Sequence, residues 1–220
     1  LHWRYSRQSL TLIIHILRKS EMRIMLNEEI ARAILIGDGR PSDSDDKIQE
    51  NHIRPIIKDV PLFNVKVPVK VPANADEETI ARATINAMIR SRKLYKGSGN
   101  PVFYSTEDVL TEMLLIEDGI GHKLYKTENE VATAIRVSRI QTVEPMEGYM
   151  LDVDGTEYPL IGTAVNLKDY NVGTDRGGEI SLFDDFDIDY NAQKYLIETH
   201  CSGAMIKPYA AIALEIVSGE

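Results

Sequence analysis

Apolar residues recur with helical spacing through most of the first 36 positions, and this run sets a minimum dimension for whatever the chain builds. Leu10, Ile13, Ile14 and Leu17 fall at i, i+3, i+4 and i+7, and Met22, Met25, Leu26, Ile30, Ala33 and Ile34 continue the stripe. The spacing predicts one helix from Ser9 to Ile36, stopped by Gly37 in a left-handed conformation. Such a helix is about 42 Å long at 1.5 Å per residue. It outruns the usual globular helix, so it either crosses a large domain or lies beside another molecule. It is no membrane span, because the run Leu10–Leu17 carries His15, is followed by Arg18, Lys19 and Glu21, and falls far short of the roughly 20 apolar residues required.

Beyond the helix, Gly37–Asp46 (GDGRPSDSDD) reads as a polar boundary between two structural units. Val60–Pro72 alternates apolar and polar around Pro61, Pro68 and Pro72, which suits an edge strand or an extended arm. Asp76–Leu94 is expected to be a helix with Ile80, Ala83, Ala87 and Met88 on one face and acids in its first turn. Val102–Tyr104 is a short strand. Ser105 with Asp108, and Thr127 with Glu130, have capping-box spacing for helices through Leu115 and Ser138. Strands follow: Met150–Val153 and Glu157–Ile161 around the hairpin signal Asp154-Gly155, then Gly162–Val172 and Glu179–Phe183, a strand or short helix at Tyr190–Ser202, and a last strand at Tyr209–Ile216. Helices and strands mix without a βαβ repeat, so the expected class is α+β.

The formal net charge is −9, which disfavours indiscriminate electrostatic binding to nucleic acid. The single cysteine, Cys201, excludes an intramolecular disulfide and a cysteine-rich zinc site. The five histidines show no HxxxH or HxH pairing. His200 and Cys201 are strand neighbours that point to opposite faces, so they are poorly placed as a nucleophile–base pair.

Two motifs carry potential chemistry. Met150–Thr156 (MLDVDGT) matches the apolar-then-DxDGT signature of haloacid-dehalogenase-type phosphatases, in which Asp152 is the nucleophile, Asp154 the acid/base and Mg²⁺ neutralises the phosphoryl charge. In that setting the motif ends a parallel strand, whereas here Glu157–Ile161 looks like the return strand of a hairpin. Asp184, Asp185, Asp187 and Asp189 invite a hard cation, but they alternate with Phe186, Ile188 and Tyr190 as a half-exposed strand does, and the calcium-loop spacing is absent. The carboxylates of Asp38–Asp46 lack ligand spacing as well. The expectation is therefore no catalytic residue, no metal and no cofactor.

Three separated blocks, about a third of the chain, resemble the major capsid proteins of tailed phages: Glu21–Arg40 (EMRIMLNEEIARAILIGDGR), Gly162–Gly178 (GTAVNLKDYNVGTDRGG) and Phe183–Tyr209 (FDDFDIDYNAQKYLIETHCSGAMIKPY). The resemblance implies a Hong Kong 97-type capsid fold. Its peripheral domain would comprise the long helix, 9–40, and the C-terminal strands, 171–220, with an axial domain at 41–170. It implies a non-enzymatic head subunit of a phage or prophage that assembles with copies of itself, as pentamers and hexamers, into an icosahedral shell around DNA without reading its sequence. Scaffold, portal and head-maturation protease are the further partners it implies. The location would be the virion capsid after synthesis in the bacterial cytoplasm, with no membrane contact. In that family an N-terminal arm and a long β-hairpin precede the long helix, so the resemblance implies an N-terminally shortened form. Some relatives cross-link subunits by an isopeptide bond from a lysine on that hairpin to an asparagine, aided by a glutamate; Asn191 and Glu198 fall near those places, while the lysine belongs to the missing hairpin. The exposed candidates for contact are Val60–Pro72, the polar side of the long helix, and the loops Gly97–Asn100 and Glu117–Gly121.

Overall fold

The last strand of the chain is the one around which its sheet is built. The computed structural model describes residues 7–41, 43–45, 47–153, 155–174 and 180–219, with the side chains of 7–17, 153, 192, 218 and 219 left aside. Strand β1 (Asn64–Pro72) lies parallel to β10 (Ala211–Gly219), which pairs antiparallel with β5 (Thr156–Val165). Next come β2 (Val102–Ser105), antiparallel to β5, and β3 (Ile140–Thr142), parallel to β2. The far half of β5 carries the hairpin strand β4 (Met150–Val153). The proline-interrupted segment is thus an edge strand from Asn64 onward, where Pro68 costs no interior ladder bond.

One face of the sheet is covered by α2 (Glu77–Ser91), α3 (Glu107–Leu115) and α4 (Glu128–Ala134). Phe103, Ala164, Ile212 and Leu214, all fully buried, meet Met88, Met113, Val131 and Ile135 there. The buried stripe of α2 runs through Ala81, Thr84, Ile85 and Met88, while Ile80, Ala83 and Ala87 pack only in part. The opposite face is covered by irregular chain: Ile56, Ile57 and Met146, with Ile36 just past the end of α1 (Arg7–Leu35). Gly162 on β5 is required by close packing, since a Cβ there would sit 2.6 Å from the Phe103 ring and 2.7 Å from the Tyr104 carbonyl oxygen.

Local chemistry explains where elements begin and end. Gly37, at φ +90°, stops α1 with its N–H on the Arg32 carbonyl. Thr127 caps α4 by accepting the Glu130 N–H. The cap of α3 is Thr106, not Ser105: Ser105 still belongs to β2, and its hydroxyl donates to the Ile161 carbonyl at 2.6 Å. Helix α4 stops at Ala134, short of Ser138, because Arg136 turns to φ +62° and the Val137 N–H returns to the Ala132 carbonyl. The expected strand Gly162–Val172 is broken in two: the Asn166 side chain accepts the Lys168 N–H and nucleates a 3-10 turn before β6 (Tyr170–Thr174). The final strand starts at Ala211, since Tyr209 sits at φ +55° in the preceding turn.

Outside this body lies a second, thinner layer. Strands β7 (Ser181–Asp187) and β8 (Ala192–Glu198) form an isolated antiparallel hairpin, and β9 (Cys201–Met205) pairs with β6 and, through Gly203, bridges to Ile53. The segment Tyr190–Ser202 forms no helix: Tyr190 and Asn191 lie in the hairpin turn, and strand follows from Ala192, interrupted at Thr199-His200. Glu179 lies outside the described residues. The more buried hairpin face carries Leu182, Asp184, Tyr195 and Ile197 and leans on α1, where Lys19 reaches Asp184 at 3.5 Å. The outer face presents Phe183 and Leu196 as a cross-strand pair, 53% and 55% exposed. Along α1 the described side chains are exposed or half-exposed until Ala33, with Ile24 and Met25 open to water.

Two phenylalanines should therefore behave differently in urea unfolding of the chain. Phe103→Ala is expected to cost about 3–5 kcal/mol, as a large core truncation does, and Phe183→Ala within about 0.5 kcal/mol, as an exposed site does. Equal costs would contradict the division into body and outer layer.

Candidate functional site

Each motif that suggested chemistry has a structural partner in the fold. Asp152 is exposed on β4, opposite Glu157, and its Oδ1 accepts the Gly155 N–H at 2.9 Å, with Gly155 at φ +83°. This is a turn-closing carboxylate on an antiparallel hairpin, not a nucleophile at the end of a central parallel strand. Asp154 lies outside the described residues. Among the aspartates of the β7–β8 hairpin, Asp184 pairs with Lys19 and Asp187 with Lys194, and the Asp187 carboxyl is held below its ordinary range chiefly by the hydrogen bond from Lys194. Among the described residues no three His, Cys, Asp or Glu side chains converge to hold a metal ion. Burial pushes the Cys201 thiol up, the opposite of what a reactive cysteine needs, and the neighbouring His200 is exposed.

Asn191 occupies the turn at the hairpin tip at φ +50°, a conformation that asparagine tolerates better than most residues. Glu198 stands at the opposite end of β8, opposite Ser181. Seven residues of strand separate the two by about 23 Å at 3.3 Å per residue. Within one chain the glutamate is out of reach of Asn191.

The candidate contact loops divide. Gly97–Asn100 is pinned to the body: the buried Asp169 carboxylate accepts from the Ser98 N–H at 2.6 Å and its hydroxyl at 2.5 Å, and the Ser98 carbonyl accepts from Asn166 and Tyr95. Burial, with Asp169 nearby, pushes the Tyr95 hydroxyl up to about 12. Glu117–Gly121 is a projecting turn. Asp118 closes it by accepting the N–H groups of Ile120 and His122, which hold its carboxyl low, and Ile120 is 78% exposed at the tip. Val60–Pro72 offers one free edge, bearing Lys66 and Lys70.

Two surfaces escaped the sequence. The spacing FDDF places one phenylalanine on each face of β7, so the hairpin is apolar on both sides, which simple alternation does not announce. An apolar groove runs between the C-terminal half of α1 and the loops after β3 and β5, lined by Ile34, Leu35, Tyr104, Val143, Leu167 and Val172. Its walls come from four separate parts of the chain, so no local pattern marks it.

Comparison with known proteins bears on what such surfaces serve. No protein-family model matches the chain, and no curated protein resembles it in sequence. Solved structures do match in shape. A structure from Gordonia phage Cozz superposes with a TM-score of 0.58 at 15% identity, covering 98% of this chain and 68% of that one. The capsid of an empty GTA particle gives 0.58 at 13% identity, over 93% of this chain and 67% of that one. The satellite phage P4 procapsid, which includes size determination (Sid) protein, gives 0.53 at 12%, over 99% and 70%. The chain has a phage capsid fold. It is mixed α+β and spans about two-thirds of the length of these neighbours.

With Asp152 closing a surface turn, the Asp152→Asn protein should hydrolyse a generic aryl phosphate in Mg²⁺ no more slowly than the parent, both at the buffer rate. Turnover by the parent that Asp152→Asn abolishes would contradict this assignment.

Proposed function

We propose that the chain is a structural subunit of a phage head, a Hong Kong 97-type major capsid protein of a tailed phage or prophage. The capsid fold extending over nearly the whole chain carries this reading. The exposed outer layer supports it: a lone two-stranded hairpin is marginal in water, and exposed apolar side chains on it and on α1 mark contact surface. In this proposal the long helix, 9–40, and the segment 171–220 form the peripheral domain, and 41–170 the axial domain, with β10 returning into the axial sheet. Copies would gather as pentamers and hexamers and close into an icosahedral shell in the virion, after synthesis in the bacterial cytoplasm. Scaffold, portal and head-maturation protease would be their partners.

The physical demands of a shell fit the chain. Closed symmetry requires repeated contacts that are individually weak enough to correct errors. A net charge of −9 keeps the wall from adhering to DNA that it encloses. The tip of Glu117–Gly121, with Ile120 exposed, is suited to meeting its equivalents around a symmetry axis.

Sedimentation velocity and negative-stain electron microscopy across a concentration series test the proposal. The expected result is a concentration-dependent appearance of five- or six-copy assemblies or closed particles. A monomer at every concentration up to the solubility limit would count against it.

A further inference from the structure

The apolar groove beside α1 and the apolar hairpin tip are complementary surfaces on one chain. The groove encloses about 360 Å³ with almost wholly apolar walls. Arg32 stands on its lining, Lys168 follows the lining residue Leu167, and Arg139 lies close enough to Tyr104 to act on its hydroxyl. Glu28 on the lining and Glu144 beside Val143 are acids of the rim, while Asp169, beside the lining residue Tyr170, is buried and bound to Ser98. The hairpin tip presents Ile188 and Tyr190, 83% and 81% exposed, with Phe186 half exposed behind them. Asp185, Asp187 and Asp189 flank these apolar side chains. Lys194 engages Asp187, leaving Asp185 and Asp189 without an ion pair among the described residues.

We propose that the β7–β8 hairpin tip of one copy docks in the α1 groove of a second copy, Ile188 and Tyr190 entering the apolar trough while Asp185 and Asp189 face Arg32, Lys168 and Arg139. The proposal rests on the chain being a shell subunit and names one contact of that shell. Charge complementarity selects the occupant: an acidic rim around an apolar tip meets a mainly basic rim around an apolar trough. In its own chain the hairpin leans on α1 at Lys19, 13 residues before Arg32 and about 20 Å along the helix at 1.5 Å per residue. Because tip and trough are different patches, the contact is head-to-tail, the kind that makes a ring where its repeated rotation closes.

Cysteine trapping between two separately made chains tests this without interference from intrachain bonds. Both chains carry Cys201→Ser; one adds Ile188→Cys with a size tag, the other Leu167→Cys, and a control partner carries Glu147→Cys instead. All three sites are exposed, so the body's packing is untouched. After mixing under conditions in which sedimentation shows assembly, mild oxidation should link Ile188→Cys to Leu167→Cys at least about tenfold faster than to Glu147→Cys, because docking raises the effective concentration of the paired thiols. Assembly with equal linking to both partners, or with Ile188→Cys linking only to itself, overturns the docking and leaves the capsid reading standing. Failure of the unsubstituted chain to assemble at all overturns both.

Discussion

Everything in the body depends on β10 lying between β1 and β5. Ala211, Ile212, Ala213 and Leu214 are fully buried, and their ladder runs parallel to β1 on one side and antiparallel to β5 on the other. The interaction is non-local on both sides, since β1 is formed some 150 residues before its partner arrives. Until β10 is placed, Val69 and Val71 on β1 and the α2 face above them lack a neighbour. The bulge between Leu214 and Glu215 marks where this tight packing ends. Glu215 is still buried there, with burial raising its carboxyl and Lys66 opposing that shift.

With the body closed in this way, the outer layer carries little folding energy of its own. The stretch of α1 before Ala33 and the β7–β8 hairpin lean on each other through a half-exposed Lys19–Asp184 pair, of a kind worth little in water. A monomeric protein gains nothing from holding Ile24, Met25, Phe183, Ile188 and Leu196 in solvent. A shell subunit of the kind proposed does, because neighbouring copies would cover them. Fold alone does not carry function, which is why the exposed layer matters alongside the likeness in shape.

Much of this was legible before any coordinates. The 3.6-residue stripe ended by Gly37, the Asp-Gly hairpin between β4 and β5, and the Thr127–Glu130 cap are local signals in which side-chain chemistry decides the backbone. The apolar run after Tyr209 announced a last strand, but not that it would join β1, because parallel pairing leaves no mark in a short window. Ser105 and Thr106 are equally good caps by type; packing of β2 against β5 chose between them. The early stop of α4 and the break at Asn166 were likewise decided by where the chain must turn to re-enter the sheet. Asn191 and Glu198 stand at opposite ends of β8, a separation set by strand geometry. The contact surfaces were the least legible, since groove and hairpin face are assembled from residues that share no periodicity.

In the proposed subunit a self-sufficient body carries an outer layer that other copies would complete. Hydrogen exchange measured by mass spectrometry on the free chain and on its assembled form tests this directly. Amides of β5 and β10 are expected to exchange slowly in both states. Those of α1 from about residue 18 to 30, and of β7 and β8, should exchange rapidly in the free chain and slow down on assembly. An outer layer as protected in the free chain as the sheet, or one whose exchange does not change on assembly, would contradict it.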